Sequence, residues 1–160
     1  MMGILEEFDG YCLGSFAFHL GELRQVSLSW WNLNFGHYKR MPYHVIKEEY
    51  TGVAPKHEPP HIRRLELSKR KQLSPEEEFE VDVILDKSVG RFLKYKYFAS
   101  NVHGSLLAEN SIYQIPLEVK GKGQSVRVKA PKYPGVYRIY ALVTDAHDNA
   151  SVLSQTISVE

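Results

Sequence analysis

Cysteine is almost absent from this sequence: Cys12 is the only one in 160 residues. A single cysteine excludes an internal disulfide framework and a cluster of thiolate metal ligands. A charge excess of one sign is also lacking, since 20 lysines and arginines oppose 19 acidic residues and the net charge is +1. This balance predicts no broad electrostatic attraction to nucleic acid or to an anionic membrane.

Long hydrophobic runs are missing too. The apolar stretch at 12–20 is interrupted by Gly14 and His19 and is far too short for a membrane span. The first ten residues contain acidic side chains instead of a basic n-region, so no signal peptide is readable and the start favours a cytoplasmic location or a truncated frame. The single cysteine fits a reducing compartment, and it also fits a periplasmic or secreted domain without disulfides.

Alternation of apolar and charged residues is the main pattern of the C-terminal half. In "EFEVDVIL", Phe79, Val81 and Val83 alternate with acidic residues, as on a strand with one buried face. Pro116 cannot donate a ladder hydrogen bond, so its segment is predicted to be an edge strand or a bulge. Similar runs occupy 63–68, 92–100, 113–119, 125–130, 135–145 and 151–159.

Turn sequences rich in glycine, proline, asparagine and aspartate separate these runs. About six or seven short antiparallel strands at such spacing indicate a two-sheet sandwich, which we predict for residues 62–160. The charged alternate positions predict that each sheet keeps one face in water.

The first 55 residues follow a different pattern. "CLGSFAF" is typical of a strand buried on both faces, and "SLSWWNLNF" with "GHYKR" indicates a hairpin-like segment. "MPYHVIKEEYTG" predicts a short helix, with Pro42 in its first turn and Gly52 at its end. Three prolines in "VAPKHEPPH" predict a linker that extends to about residue 61. The predicted organisation is a short α/β segment at 1–55, this linker, and a mainly β domain at 62–160.

Five segments carry a family resemblance: "FDGYCLGSFAFHLG", "SWWNLNF", "MPYHVIKEEYTGVAP", "PPHIRRLEL" and "PGVYRIYALVTDAHDNASV". In this order they resemble the C-terminal region of a group of bacterial glycoside-hydrolase-like proteins, in which a (β/α)8 barrel precedes an immunoglobulin-like or PKD-like domain. The resemblance implies an immunoglobulin-like (PKD-like or fibronectin type III-like) antiparallel β-sandwich. It also implies that "CLGSFAF" and "MPYHVIKEEYTG" correspond to the last strand and last helix of the barrel, and that the location is extracytoplasmic.

The implied barrel strand would need seven further strands, which the residues before Cys12 do not supply. The resemblance therefore implies a split or truncated gene, a remnant rebuilt into another small fold, or docking onto a separately encoded barrel. An aromatic residue and an amide of the group correspond here to Leu20 and Glu22, which weakens a sugar-binding role for Leu20. Glycosidic hydrolysis normally needs two carboxyl groups, and Glu22 is the only one so placed. We predict no catalytic residue, and any glycosidase activity would need a partner barrel.

Trp30 and Trp31, together with Glu22, are the candidate carbohydrate-binding residues. A tryptophan ring can stack on the C–H face of a sugar, but neighbouring strand residues point to opposite faces. Hydrophobic cover between the N-terminal segment and the sandwich is the favoured interpretation of the tryptophans.

The motif "DAHDN" provides a weak candidate metal site. Asp145, Asp148 and Asn149 offer the oxygen ligands that calcium prefers, but the same residues are typical of a tight turn, and the turn is the favoured interpretation. The seven histidines are scattered along the chain, and no metal or cofactor is predicted.

Two functional hypotheses follow. The first is a non-catalytic accessory module of a glycosidase-like protein, which supports a barrel or binds a glycan weakly. The second is a protein–protein interaction or adhesion domain that pairs through its N-terminal segment or a sheet edge, including as a homo-oligomer. Neither hypothesis involves nucleic acid or a membrane span.

Overall fold

The computed structural model describes residues 33–86, 92–101 and 114–160. Strands make up most of the regular structure in these ranges, and one short helix lies near their start. The elements are β1 (Asn34–Phe35), β2 (Tyr38–Lys39), α1 (Met41–Thr51), β3 (Ile62–Leu67), β4 (Glu78–Leu85), β5 (Lys94–Ser100), β6 (Ile115–Pro116), β7 (Val119–Lys120), β8 (Ser125–Lys129), β9 (Gly135–Thr144) and β10 (Ala150–Val159). The strand predicted at 12–18 lies outside the described residues.

Eight of these strands form two four-stranded sheets. One sheet has the order β3-β4-β8-β7 and the other has the order β10-β9-β5-β6. All paired neighbours run antiparallel. Residues of both sheets share one hydrophobic cluster, so the predicted mainly β, antiparallel sandwich is confirmed.

The alternation in β4 decides which of its faces enters the core. Phe79, Val81 and Val83 are each no more than 3% exposed and join Ile139 and Val143 of β9 in the cluster between the sheets. Burying one such side chain fully contributes on the order of 1.5–3 kcal/mol relative to leaving it in water. A slip of one residue would exchange these side chains for carboxylates, so the pattern specifies the register of β4.

Pro116 lies where the chain leaves one sheet for the other. It is the last residue of β6, which pairs with β5, and β7 begins three residues later and pairs with β8. Both β6 and β7 are the outermost strands of their sheets, so the edge position predicted from Pro116 is confirmed.

The outer face of the second sheet departs from the prediction that each sheet keeps one face in water. Tyr140 and Leu142 point away from the core shared by the sheets, yet they are 1% and 6% exposed. Together with Phe98 they form a second hydrophobic cluster that includes Phe35 of β1. The prediction is wrong for this sheet because residues near β1 cover part of it as a third layer.

The covering layer is a short hairpin followed by α1. Phe35 pairs with Tyr38 across a two-residue turn, where Gly36 has a φ of 59° that glycine adopts without strain. The predicted helix is confirmed at Met41–Thr51, with proline in its first turn. Gly52, with φ 65°, ends it as predicted.

The residues between α1 and β3 form neither helix nor strand, as their prolines predict, and Pro59 and Pro60 are buried. The division into 1–55 and 62–160 stays a prediction. In the described part of the chain, no helix is long and apolar enough to cross a membrane.

Candidate functional site

The candidate carbohydrate residues Glu22, Trp30 and Trp31 lie outside the described residues, and their role stays a prediction. The described chain begins close to them, at Leu33, which is 8% exposed. The Leu33 carbonyl accepts a 3.0 Å hydrogen bond from the Arg40 N–H, which closes the hairpin β1–β2. Because Phe35 of this hairpin packs near Phe98 of β5, the chain after the tryptophans lies against the sandwich surface.

The turn between β9 and β10 contains the weak metal candidates. Asp145 Oδ1 accepts hydrogen bonds from the backbone N–H of His147 at 2.8 Å and of Asn149 at 2.9 Å. Asp145 Oδ2 accepts a third, at 2.9 Å, from the Asn149 side-chain amide. Asp148 has a φ of 58°, which Asp tolerates in turns. The Asp145 carboxylate thus organises the turn, and both of its oxygens have partners within it.

Asn149 joins this turn to the N-terminal segment. It is 2% exposed, and its Oδ1 accepts a 2.9 Å hydrogen bond from His44 Nε2 of α1, so Nε2 carries the proton. Its amide also donates to the His57 carbonyl at 3.4 Å. The Lys39 N–H donates to the Asp148 carbonyl at 2.8 Å. Three parts of the N-terminal segment, namely β2, α1 and the chain at His57, are therefore bonded to this turn at one end of the sandwich.

The histidines are less scattered than the sequence indicates. The His57 and His147 rings stack at this same turn, with centroids 3.7 Å apart and an interplanar angle of 1°. His61 pairs nearby with Asp86, where β3 begins and β4 ends. The nitrogen lone pairs of two parallel stacked rings point in parallel planes and not toward a common point, so this stacking does not suit two ligands of one metal ion. Within the described ranges, no group of three or more histidine, cysteine or acidic side chains could hold a metal ion.

Helix α1 exposes most of its apolar side chains. His44 is its only buried residue. Met41, Val45 and Tyr50 are 38%, 45% and 75% exposed. Tyr43 and Ile46 are half-buried, so part of the apolar surface of α1 is covered, and the part formed by Met41, Val45 and Tyr50 is available to contact something else.

A groove of about 360 Å³ runs between the hairpin and β5. The aromatic side chains of Phe35 and Tyr38 line one side, and Lys94 and Lys96 line another. Lys96 Nζ donates to the Gln114 side chain at 3.3 Å and lies 5.7 Å from the Phe98 ring centroid. The groove combines flat aromatic surface with exposed cations and an amide.

The outer face of the other sheet has a different character. Lys120 pairs with Glu78 and Arg127 with Glu80, and further pairs link Arg64 to Glu66, Lys129 to Glu118 and Lys69 to Glu77. The hydrogen bond from Lys120 lowers the pKa of Glu78, and the hydrogen bond to Glu118 raises the pKa of Lys129. This face is a solvated surface whose charges compensate one another.

A second groove, of about 770 Å³, lies at the opposite end of the sandwich from α1. Pro116, Pro131 and Tyr133 are among its lining residues. Tyr137 also borders it, and its hydroxyl donates to the Tyr133 carbonyl at 2.8 Å. A tyrosine hydroxyl is protonated at neutral pH and can donate, and burial raises the pKa of Tyr137 further above its ordinary value.

Comparisons with known proteins identify no family for this chain. No protein-family model matches it, and no curated protein matches it. Among solved structures, the copper resistance protein PcoC from Escherichia coli matches over 63% of this chain and 100% of its own, with 11% identity and a TM-score of 0.38. A likeness at this level says nothing about copper or any other ligand of this chain.

Two features of this surface are not predicted in the sequence analysis. The contact between hairpin and sheet is signalled by the unbroken apolar run from Ile139 to Val143, since a strand with one wet face would alternate. The bond from His44 to Asn149 joins residues 105 positions apart and leaves no local signal.

Proposed function

We propose that this chain is a non-catalytic accessory module of a glycosidase-like protein. In this role an immunoglobulin-like sandwich supports a (β/α)8 barrel by holding the last helix of that barrel, α1, in a fixed position. The observation that carries the proposal is that α1 is tied to the sandwich through His44 and exposes Met41, Val45 and Tyr50 to solvent. The family resemblance supplies the identity of the expected partner.

The exposed side chains of α1 support a docking role. Met41 and Val45 lie one turn apart, and Tyr50 lies near the end of the helix. A barrel helix packs against the strands inside it and the helices beside it, so it needs apolar residues over a broad arc. A helix that merely covered a sandwich would need only one apolar stripe.

The attachment of α1 to the sandwich is the second support. The buried bond between His44 and Asn149 and the backbone bond from Lys39 to Asp148 hold α1 to the turn between β9 and β10. These contacts would transmit the orientation of a barrel to the sandwich, because a buried polar contact breaks at a substantial cost.

The strand order supports the immunoglobulin-like assignment. The sheet β3-β4-β8-β7 corresponds to strands A, B, E and D of that fold, and β5, β9 and β10 correspond to C, F and G. Tyr137 lies near the start of β9, and its hydroxyl bonds back to the backbone of Tyr133, as in the tyrosine corner of strand F. Ile139 then takes the place of the strand F cysteine, in keeping with a fold that contains no disulfide.

The alternative is an adhesion domain that pairs through a sheet edge, and it is less well supported. The outer edge of β10 is occupied near its end, where the Leu73 N–H donates to the Ser158 carbonyl and the Ser158 N–H donates to the Arg70 carbonyl, both at 3.0 Å. The edge strands β6 and β7 have two residues each. Short or covered edges offer little backbone for another chain to pair with. Pairing through an edge would therefore have to use β3, which has six residues, or the first part of β10.

The test is binding between this chain and a glycosidase-like barrel encoded in the adjacent reading frame, measured by sedimentation velocity on purified proteins. We expect a one-to-one complex that the double variant Met41→Glu/Val45→Glu abolishes. The control is Lys47→Glu, which places the same new charge at an exposed position of α1 outside the apolar surface. A barrel that is complete without α1, or a complex that the double variant leaves intact, would refute the proposal. Self-association of the chain through Met41 and Val45 would favour the alternative.

A further inference from the structure

We propose that the groove between the hairpin β1–β2 and β5 binds an acidic oligosaccharide, a chain of sugars that carry carboxylates such as uronic acids. This role goes beyond the support of a barrel and does not depend on it, because the groove and the exposed side chains of α1 are formed by different residues. The inference rests on the charge and shape of the groove.

The charge of the groove is positive and is not balanced within its lining. None of the lining residues is acidic. Neither Lys94 nor Lys96 pairs with a carboxylate in the described part of the chain, whereas Lys120 and Arg127 on the opposite sheet both do. Two uncompensated ammonium groups beside a concave surface attract an anion.

The spacing of the two lysines suits a ligand with separated charges. Lys94 and Lys96 are alternate residues of β5, so they project from the same face about 7 Å apart. A chain with one carboxylate per sugar offers charges at intervals. A nucleic acid duplex carries one phosphate charge per about 1.7 Å of its axis, and proteins that bind it usually neutralise more of these charges than two lysines can.

The aromatic side of the groove suits a sugar ring. Tyr38 is half-buried and Phe35 is 5% exposed, and both line the groove. Aromatic rings with a few polar groups are the usual lining of sites for small organic ligands. The Gln114 amide and the Lys96 ammonium are placed to hydrogen-bond hydroxyls and a carboxylate.

The experiment is a titration of the purified full chain, followed by two-dimensional NMR of the backbone amides. The probes are hexagalacturonic acid, the neutral sugar cellohexaose and a hexaglutamate peptide, each added up to about 10 mM because weak sites bind in the millimolar range. We expect hexagalacturonic acid to shift the amides of residues 35–38 and 94–96 in a saturable way. Raising the salt from about 0.05 to 0.5 M should weaken this binding by screening.

The lysines are tested with the double variant Lys94→Gln/Lys96→Gln. Its affinity for hexagalacturonic acid should fall by about tenfold or more, since hydrogen bonds to charged groups commonly carry that much. The control Lys71→Gln/Lys132→Gln removes the same charge at exposed positions away from the groove and should bind normally. No saturable shift with hexagalacturonic acid, or an equal affinity for cellohexaose, would overturn the proposal. Hexaglutamate binding as tightly would also overturn it, in favour of a surface for acidic peptides.

Discussion

Replacing Asn149 with alanine is the sharpest single perturbation of the contact between the N-terminal segment and the sandwich. The side chain is 2% exposed and makes hydrogen bonds to His44, Asp145 and the His57 carbonyl. Each buried hydrogen bond contributes about 1 kcal/mol net, and partners left unsatisfied raise the cost. We expect Asn149→Ala to lower the free energy of unfolding by roughly 3 kcal/mol.

This loss should be seen in urea and thermal unfolding followed by circular dichroism. For a domain of this size, each 1 kcal/mol shifts Tm by about 2–4 °C, so the expected fall is about 6–12 °C. Amide hydrogen exchange should also accelerate in residues 33–51 more than in β4, because the lost bond connects the segment to the sandwich. The control is Gln155→Ala on β10, the strand that follows the turn, because the Gln155 amide makes no hydrogen bond among the described residues. A loss below about 0.5 kcal/mol, or equal acceleration in both regions, would refute the role given to Asn149.

Three further outcomes are expected. Phe35→Ala should lower the free energy of unfolding by about 3 kcal/mol, since replacing a buried aromatic residue with alanine usually costs 3–5 kcal/mol. The outer face of the second sheet should become exposed, so binding of a hydrophobic dye should increase. A loss below about 1 kcal/mol would mean that the hairpin does not cover the sheet. Tyr137→Phe should cost about 1 kcal/mol in urea unfolding because the Tyr133 carbonyl loses its donor, and an unchanged midpoint would show that the bond contributes nothing. The pKa of Glu77 is lowered below 4.5, chiefly by its hydrogen bond from Lys69. The contribution of the Glu77 carboxylate to stability is therefore present above the ordinary carboxyl pKa and is lost as pH falls through the lowered value. Glu77→Gln should thus reduce the loss of stability at acid pH. A Glu77 pKa at or above 4.5, measured by NMR, would contradict this prediction.

Local patterns predict most of the sandwich because each strand carries its own signal. The alternation in β4 specifies which side chains enter the core, and Pro116 indicates an edge strand. Gly52 ends α1 because it adopts a left-handed φ that other residues rarely take. These features depend on neighbours in the sequence, and the structure has all of them.

The candidate site depends on contacts between distant residues and was less predictable. Phe35 and Phe98 meet because the hairpin folds onto β5, and no periodicity in either segment reports this. In the sequence His44 is one of several scattered histidines, although in the structure it is the only buried residue of α1. The groove likewise joins Tyr38 to two lysines more than fifty positions away, so its charge could not be recognised from the balanced composition.

The most direct test of the central claim is the solvent accessibility of α1 in the purified full chain, measured by NMR with a soluble paramagnetic agent. The claim is that the sandwich holds α1 on one side and leaves its apolar residues uncovered for a partner. It predicts strong relaxation enhancement at the Met41 and Val45 methyl groups and little at Val143, a core residue of β9. The claim would be contradicted if the methyl groups of Met41 and Val45 showed as little relaxation enhancement as those of Val143. Another part of the same chain would then cover the helix.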